Sequence, residues 1–529
     1  MPKRNGYQIT YRLASRGVDL HSSLPDIAPV RSPYMQNCYF RQGITQRLGM
    51  TRLTNTEVET GKALTMLHRF YYGTNSKQLL AAAGTSVKAY DEVSAWNTVV
   101  TGWTDGATVT AATWGPKSAV YLANGNQAPV KWNGTTATTL SAFPTNTRQF
   151  LPVLDRLLFI DDTNPSYIGL SKSFDDTAIE AVQNSLAVPG AGKIYGLAYH
   201  GLTTSAGFAT RVICAKASEM YLLTANNLAP ASLDARLDIV VPFVGCEAWR
   251  TIVSTPVGTF FLGTDRKVYL ITYDGAVHDV SALIRAERDD DEGIESIPGS
   301  QMSKCHAVYH DGFYKLFVVR SGGTVPAMQW WLDVSAFGQD RDGFWGPWFG
   351  PMLGQTISAA VVENGPGDGN ALIGGEGTAA TGGYVYTMDT TNADQGTAIT
   401  MIYQTAYDAH KLPGLNKVIS QCELEHADVS GSLVVSAYDT TGLASTPESQ
   451  TISGSSAVYW DTKYWDEFYW SSGASAVRRV ITPTQRVIVR SLSWRLEFSS
   501  ASEQFKLFRV LTLGQARTRQ ALVGGREKS

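Results

Sequence analysis

Ala83-Gly84-Thr85-Ser86-Val87-Lys88-Ala89-Tyr90-Asp91 reads as a strand end, a glycine turn, and a second strand that closes on an aromatic residue and an aspartate. Glycine reaches the positive φ that tight hairpin turns need, and alternating aromatic or β-branched side chains suit a strand with a buried face. The unit returns along the chain. Leu122-Ala123-Asn124-Gly125 leads to Val130-Lys131-Trp132, and Phe261-Leu262-Gly263-Thr264-Asp265 leads to Val268-Tyr269-Leu270-Ile271. Tyr309-His310-Asp311-Gly312 leads to Tyr314-Lys315-Leu316-Phe317-Val318, and Gly374-Gly375-Glu376-Gly377 to Tyr384-Val385-Tyr386. Arg156–Asp161 with Ile168–Ser171, and Val212–Ala215 with Met220–Leu223, extend the series. One hairpin type recurring over this span predicts sheets repeated around an axis, a β-propeller.

The expected fold is therefore all-β. At about 40 to 45 residues per four-stranded blade, residues 55–396 hold about seven blades, with six to eight as the range. Residues 1–54 carry Pro25, Pro29 and Pro33, which exclude a long helix and predict an extended N-terminal arm with a hairpin around Gly43. From Thr397 the rhythm lengthens into alternating strands with polar connections, which predicts a C-terminal β-sandwich over residues 397–514. Residues 515–529, with Arg517, Arg519, Arg526 and Lys528 against Glu527, read as a flexible basic tail. Two segments are expected to be helical, Asp175–Leu186 and Ser281–Glu292.

Composition narrows the function classes. The 49 glycines and a charged fraction of only 17% fit many turns and few solvated helices. A net charge of −3 argues against general nucleic-acid or anionic-membrane binding. Cys38, Cys214, Cys246, Cys305 and Cys422 are scattered, odd in number and without C-x-x-C, which argues against a disulfide framework or a zinc site and for folding in a reducing cytoplasm. No apolar run follows Met1–Tyr7 to suggest a secretion signal, and no stretch approaches the ~18 to 20 apolar residues of a membrane span.

Catalytic signatures are missing: there is no H-E-x-x-H, P-loop, G-x-S-x-G or G-x-G-x-x-G before a helix, and no sialidase-type turn repeat. No catalytic, cofactor-binding or metal-ligating residues are assigned. His306 and His310 share a strand face but lie about 13 Å apart along it, too far for one metal without a bend. Arg288 is followed by Asp289, Asp290, Asp291 and Glu292, whose spacing is not that of a calcium-binding EF-hand loop. They read as a solvated end, or as an acidic loop facing a channel and repelling DNA phosphates. Asn364–Asn370 is a turn cluster between strands. Tyr459-Trp460, Tyr464-Trp465 and Tyr469-Trp470 recur every five residues, which fits neither a helix nor a strand face. Those rings pack beneath the sandwich, serve a contact between subunits, or stack on sugars.

Two stretches carry a family resemblance. Residues 17–49, a glycine-hydrophobic-Asp-Leu opening followed by Ser32-Pro33, Asn37, Gly43, Arg47 and Gly49, resemble the start of tail tube-end proteins of short-tailed double-stranded DNA bacteriophages, also called nozzle, hub or DNA-stabilisation proteins. The run Asp155–Asp176, DRLLFIDDTNPSYIGLSKSFDD, is similar to a phrase in those proteins, as is the strand pattern of SLSWRLEFSSASEQFKLFRVLTLG near the end. The resemblance implies a structural protein of the virion tail, assembled in the host cytoplasm. It implies a ring of about six copies that extends the DNA exit channel below the portal and adaptor and helps retain and deliver the genome. Its partners would be other copies of itself, portal-side tail proteins, and fibre, spike or needle proteins, with duplex DNA passing without sequence recognition. No catalytic positions carry over. The competing reading is a carbohydrate-binding or carbohydrate-degrading propeller, such as a receptor-binding protein or depolymerase.

Overall fold

The computed structural model describes residues 6–73, 76–92, 96–201, 210–288, 292–365, 369–378, 382–408, 416–452, 476–482 and 487–516. The described residues are all-β, with seven antiparallel blades, each built on four strands, the third carrying Leu186–Ala187 as a fifth. Blade 1 runs through Leu64–Tyr72, Ser76–Ala83, Ser86–Tyr90 and Asn97–Val100. Blades 2 to 7 begin with Thr110–Trp114, Thr147–Val153, Gly196–Tyr199, Val253–Thr255, His306–His310 and Ile357–Val362. These first strands touch their neighbours in turn, and that of blade 7 touches that of blade 1, so the ring is closed. The fourth strand of blade 7 comes from the other end of the chain: Gly49–Arg52 pairs with Val385–Thr391. Early and late residues thus share one sheet, which holds the ring shut.

Six of the seven recurrent hairpins occupy one structural position, the connection from second to third strand. They fall at Ala83/Ser86, Ala123/Val130, Asp161/Tyr167, Ala215/Met220, Leu262/Val268 and Glu376/Val385. The seventh, His310/Phe313, joins the first and second strands of blade 6. Second strands are buried on both faces, and successive residues serve opposite neighbours. Leu79, Ala81 and Ala83 pack with Ile373 and Val385 of blade 7, whereas Leu80 and Ala82 pack with Val120 and Leu122 of blade 2. Leu158 and Ile160 face blade 4, and Leu157 and Phe159 face blade 2. This two-sided burial explains the near-continuous apolar runs of these strands.

Described strands within residues 6–46 and 393–516 together make two further sheets of seven strands each. In one, Lys506–Ala516 is flanked by Lys417–Ala427 on one side, and by Gly6–Tyr11 and Ile44–Gln46 on the other. In the second, Thr397–Gln404 pairs with Met35–Gln36 and with Ser493–Ser500, which pairs onward with Gly431–Asp439. The residues read as an N-terminal arm therefore supply strands to both sheets. Trp494, Phe498, Leu507 and Val510 of these sheets belong to one core with Phe260 and Tyr314 of blades 5 and 6.

Both expected helices are corrected. Asp175–Ile179 is the fourth strand of blade 3, and only Val182–Asn184 turns as a 3-10 helix. Ala282–Ile284 is likewise a single 3-10 turn. Outer strands are polar and give weak period-2 signals, so pairing with a neighbour decides the backbone instead of local propensity. Asp176 is buried there, accepting from the Tyr121 hydroxyl at 2.7 Å and pairing with Lys131 at 2.5 Å.

Candidate functional site

All seven first strands, together with the turn leading into blade 5, line a cavity of about 420 Å³ on the propeller axis. A second cavity of about 360 Å³ shares Thr65 and Arg250 with it. Leu64, Thr108, Lys304 and Ser358 line this second space, so it forms a mouth at the end where the first strands begin.

Arg250 stands between the two spaces. It lies in the Trp249–Thr251 turn, whose position is fixed from both sides. Thr251 Oγ1 donates to the Ala248 carbonyl at 2.7 Å and accepts from the Leu262 amide at 2.9 Å. Trp249 packs where a Cβ at Gly196 would lie 2.4 Å from its ring, so only glycine leaves it room. The Arg250 guanidinium donates from Nη1 to the carbonyls of Thr65 and Ser358, each at 3.3 Å, and from Nη2 to that of Lys304 at 2.9 Å. Nε has no partner. Burial pulls its pKa down to about 10, so it stays charged at neutral pH.

His306 lines the axial cavity and is almost fully buried, stacked on Phe317 at 4.6 Å. Its Nδ1 faces the same Lys304 carbonyl at 3.5 Å, and its Nε2 has no partner. Burial, reinforced by the nearby Arg250 charge, holds its pKa well below the ordinary value, so the ring is neutral. Across the cavity, His68 Nε2 meets Thr113 Oγ1 at 2.7 Å, and burial lowers its pKa to about 4.

A lateral pocket of about 360 Å³ lies among blades 6 and 7 and the hairpin Cys38–Gln46. The Lys315 ammonium is buried there against the Asp389 carboxylate and His310 Nδ1, the latter at 3.2 Å, with the Trp331 ring 4.0 Å away. His310 Nε2 meets the Asn370 carbonyl at 2.8 Å, which fixes the neutral tautomer with the proton on Nε2. Burial first and the Lys315 charge second lower the His310 pKa. Asp311, Asn370 and Asp389 around this pocket all have positive φ. The cluster ties blade 6 to blade 7.

The two histidines singled out in the sequence thus serve different spaces, His306 the axial cavity and His310 the lateral pocket. Glu292 is held by Arg320, from Nε at 3.0 Å and Nη2 at 2.7 Å, and by the Ser321 amide at 3.1 Å. Asp289, Asp290 and Asp291 lie outside the described residues, as do Tyr459, Trp460, Tyr464, Trp465, Tyr469 and Trp470. All five cysteines are buried and free. Arg250 and Lys315 were not singled out by sequence reasoning. Lys315 leaves one trace: a lone charge within the apolar strand Phe313–Val319.

No family model and no curated protein matches the chain. Among solved structures it is similar to the WD40 β-propeller domain of Doa1, at 9% identity over 64% of this chain and 97% of that one, with a TM-score of 0.40. Saccharomyces cerevisiae Sqt1 is similar at 7% identity, over 67% of this chain and 99% of that one, with a TM-score of 0.39. YCF48 bound to D1 peptide is similar at 9% identity, over 67% and 97%, with a TM-score of 0.36. Among the described residues no helix is long and apolar enough to cross a membrane.

Proposed function

We propose that this chain is a non-catalytic structural protein of a short-tailed phage tail. Several copies, about six, form a ring that continues the DNA exit channel and binds portal-side and fibre, spike or needle proteins. The observation that carries this reading is the resemblance of residues 17–49 and 155–176, joined to what those residues do in the fold. The first stretch supplies strands to both end sheets and leads directly into Gly49–Arg52, the closing strand of blade 7. The second is one intact hairpin of blade 3. A part that must bear the pressure of packaged DNA benefits from having both chain ends locked into one body.

The propeller axis is not the conduit in this reading. One turn of duplex, about 34 Å long, occupies more than roughly ten times the axial cavity. DNA would pass between copies, which makes assembly the function to test. Negative-stain imaging of the purified protein is expected to give a six-fold annulus. Isolated monomers at micromolar concentration, with cleavage of a capsular polysaccharide, would replace this reading with the carbohydrate-degrading one.

A further inference from the structure

We propose that the mouth of the axial cavity binds a small oxyanion, a carboxylate or a phosphate, clasped by Arg250 with Lys304 at the rim. The proposal stands apart from the assembly role, since it concerns a site within one propeller. Four charged residues line the mouth: Lys62, Lys304, Arg250 and Asp105. Lys62 and Asp105 neutralise each other at 2.5 Å. Lys304 Nζ donates to the Thr324 carbonyl at 2.7 Å, and all three Arg250 hydrogen bonds also end on carbonyls. Two positive charges are therefore left without a carboxylate partner among the described residues.

Carbonyl oxygens satisfy donors but do not cancel charge. A partly buried guanidinium held this way keeps an outstanding electrostatic demand, which an anion meets and water does not. Three of its five N–H groups are used, which leaves Nε–H and one Nη2–H. Nε is closed off from the cavity in this geometry, so the anion would take the remaining Nη2–H together with the Lys304 ammonium. The site is pre-formed, because the Thr251 hydrogen bonds and the Trp249–Gly196 contact fix the turn before any ligand arrives. His306, which lines the adjoining axial cavity, faces through Nδ1 the same Lys304 carbonyl that accepts from Arg250, so its ring reports on what binds at the guanidinium.

The test titrates the full chain with sodium phosphate and, separately, with sodium acetate, against sodium chloride at matched ionic strength. Thermal shift and the His306 Nε2 resonance are followed. Saturable binding of either anion that moves the His306 resonance is expected, with Lys304→Gln weakening it about three- to tenfold and Arg250→Gln abolishing it. Response to phosphate alone assigns a phosphoryl ligand, and response to both assigns a carboxylate-sized site. Should Arg250→Gln not fold, Lys304→Gln and the resonance decide. A thermal shift equal in wild type and Lys304→Gln, with His306 unmoved, would overturn the proposal, because general salt stabilisation acts that way.

Discussion

Arg47 sits almost fully buried where three parts of the chain meet. Its Nε donates to Asn37 Oδ1 at 3.0 Å, its Nη1 to the Leu48 carbonyl at 3.0 Å, and its Nη2 to the Leu353 carbonyl at the end of blade 6. Asp394, in the short strand Ala393–Asp394 of the second end sheet, receives both Nη groups. Removing one partner of a buried pair leaves the other charge uncompensated, so Arg47→Met should lower unfolding free energy by about 3 to 5 kcal/mol in urea titrations. Arg47→Met with Asp394→Leu should recover part of that loss. His200 supplies a pH prediction. It is buried, its Nδ1 meets Thr259 Oγ1 at 2.9 Å, and burial followed by the Arg211 charge lowers its pKa to about 4. An unfolded histidine titrates near 6.5, so between those values the unfolded state binds the extra proton. The His200 contribution is therefore complete above about pH 6.5 and is lost as pH falls toward 4, a change on the order of a few kcal/mol. His200→Gln should reduce the slope of stability against pH in that window by about one proton. An unchanged slope would contradict the assignment. Arg47 was visible only within the residue pattern of the opening, and His200 not at all, because Leu353, Asp394 and Thr259 lie far away in sequence and only the folded chain brings them together.

At the scale of the element, the recurrent hairpin was readable because its causes are local. Glycine permits the turn, and apolar runs mark strands buried on both sides. The phrase Asp155–Asp176 illustrates how tightly such a unit is determined. Asp161 Oδ1 accepts from the amides of Thr163 and Asn164, shaping the turn. Arg156 donates to the Ser171 carbonyl and to Glu180, each at 2.7 Å, tying second, third and fourth strands together. Gly169 has ordinary extended backbone, yet a Cβ there would lie 2.2 Å from the Phe159 ring. Phe159 in turn packs against Phe143 at 5.2 Å in the core between blades 2 and 3. Gly169→Ala should therefore cost about 1 to 3 kcal/mol by overpacking, and Phe159→Leu should relieve it in the double variant. Additive losses in the two changes would mean that the ring and the glycine do not share this space. The polar fourth strand of the same blade was misread as a helix for the converse reason. Its conformation is set by a neighbour and leaves no periodic trace.

Across the whole molecule, what sequence could not supply is which distant strands pair. Alternation predicts a strand but names no partner, and here Gly6–Tyr11 pairs with Lys506–Ala516 from the far end of the chain. The cores follow this topology. Separate clusters lie between blades 1 and 2, 2 and 3, 3 and 4, 6 and 7, and 7 and 1. One larger core instead joins blades 4, 5 and 6 to both end sheets. Local opening should respect that division, since opening units follow contiguous packing. Gly17 tests it: its φ is +78°, and a Cβ would lie 1.9 Å from the Trp348 carbonyl oxygen, which also accepts from the Val18 amide at 2.8 Å. Gly17→Ala must push the N-terminal segment off the last strand of blade 6. Native-state hydrogen exchange is expected to quicken in Trp348–Leu353, Thr397–Gln404 and Lys506–Ala516, while Ser76–Ala83 and Ala119–Ala123 keep wild-type protection. A uniform rise across all blades would mean that the ring opens only as one unit. A rise confined to residues near Gly17 would mean that the N-terminal segment is an attachment, and that the two end sheets hold together without it.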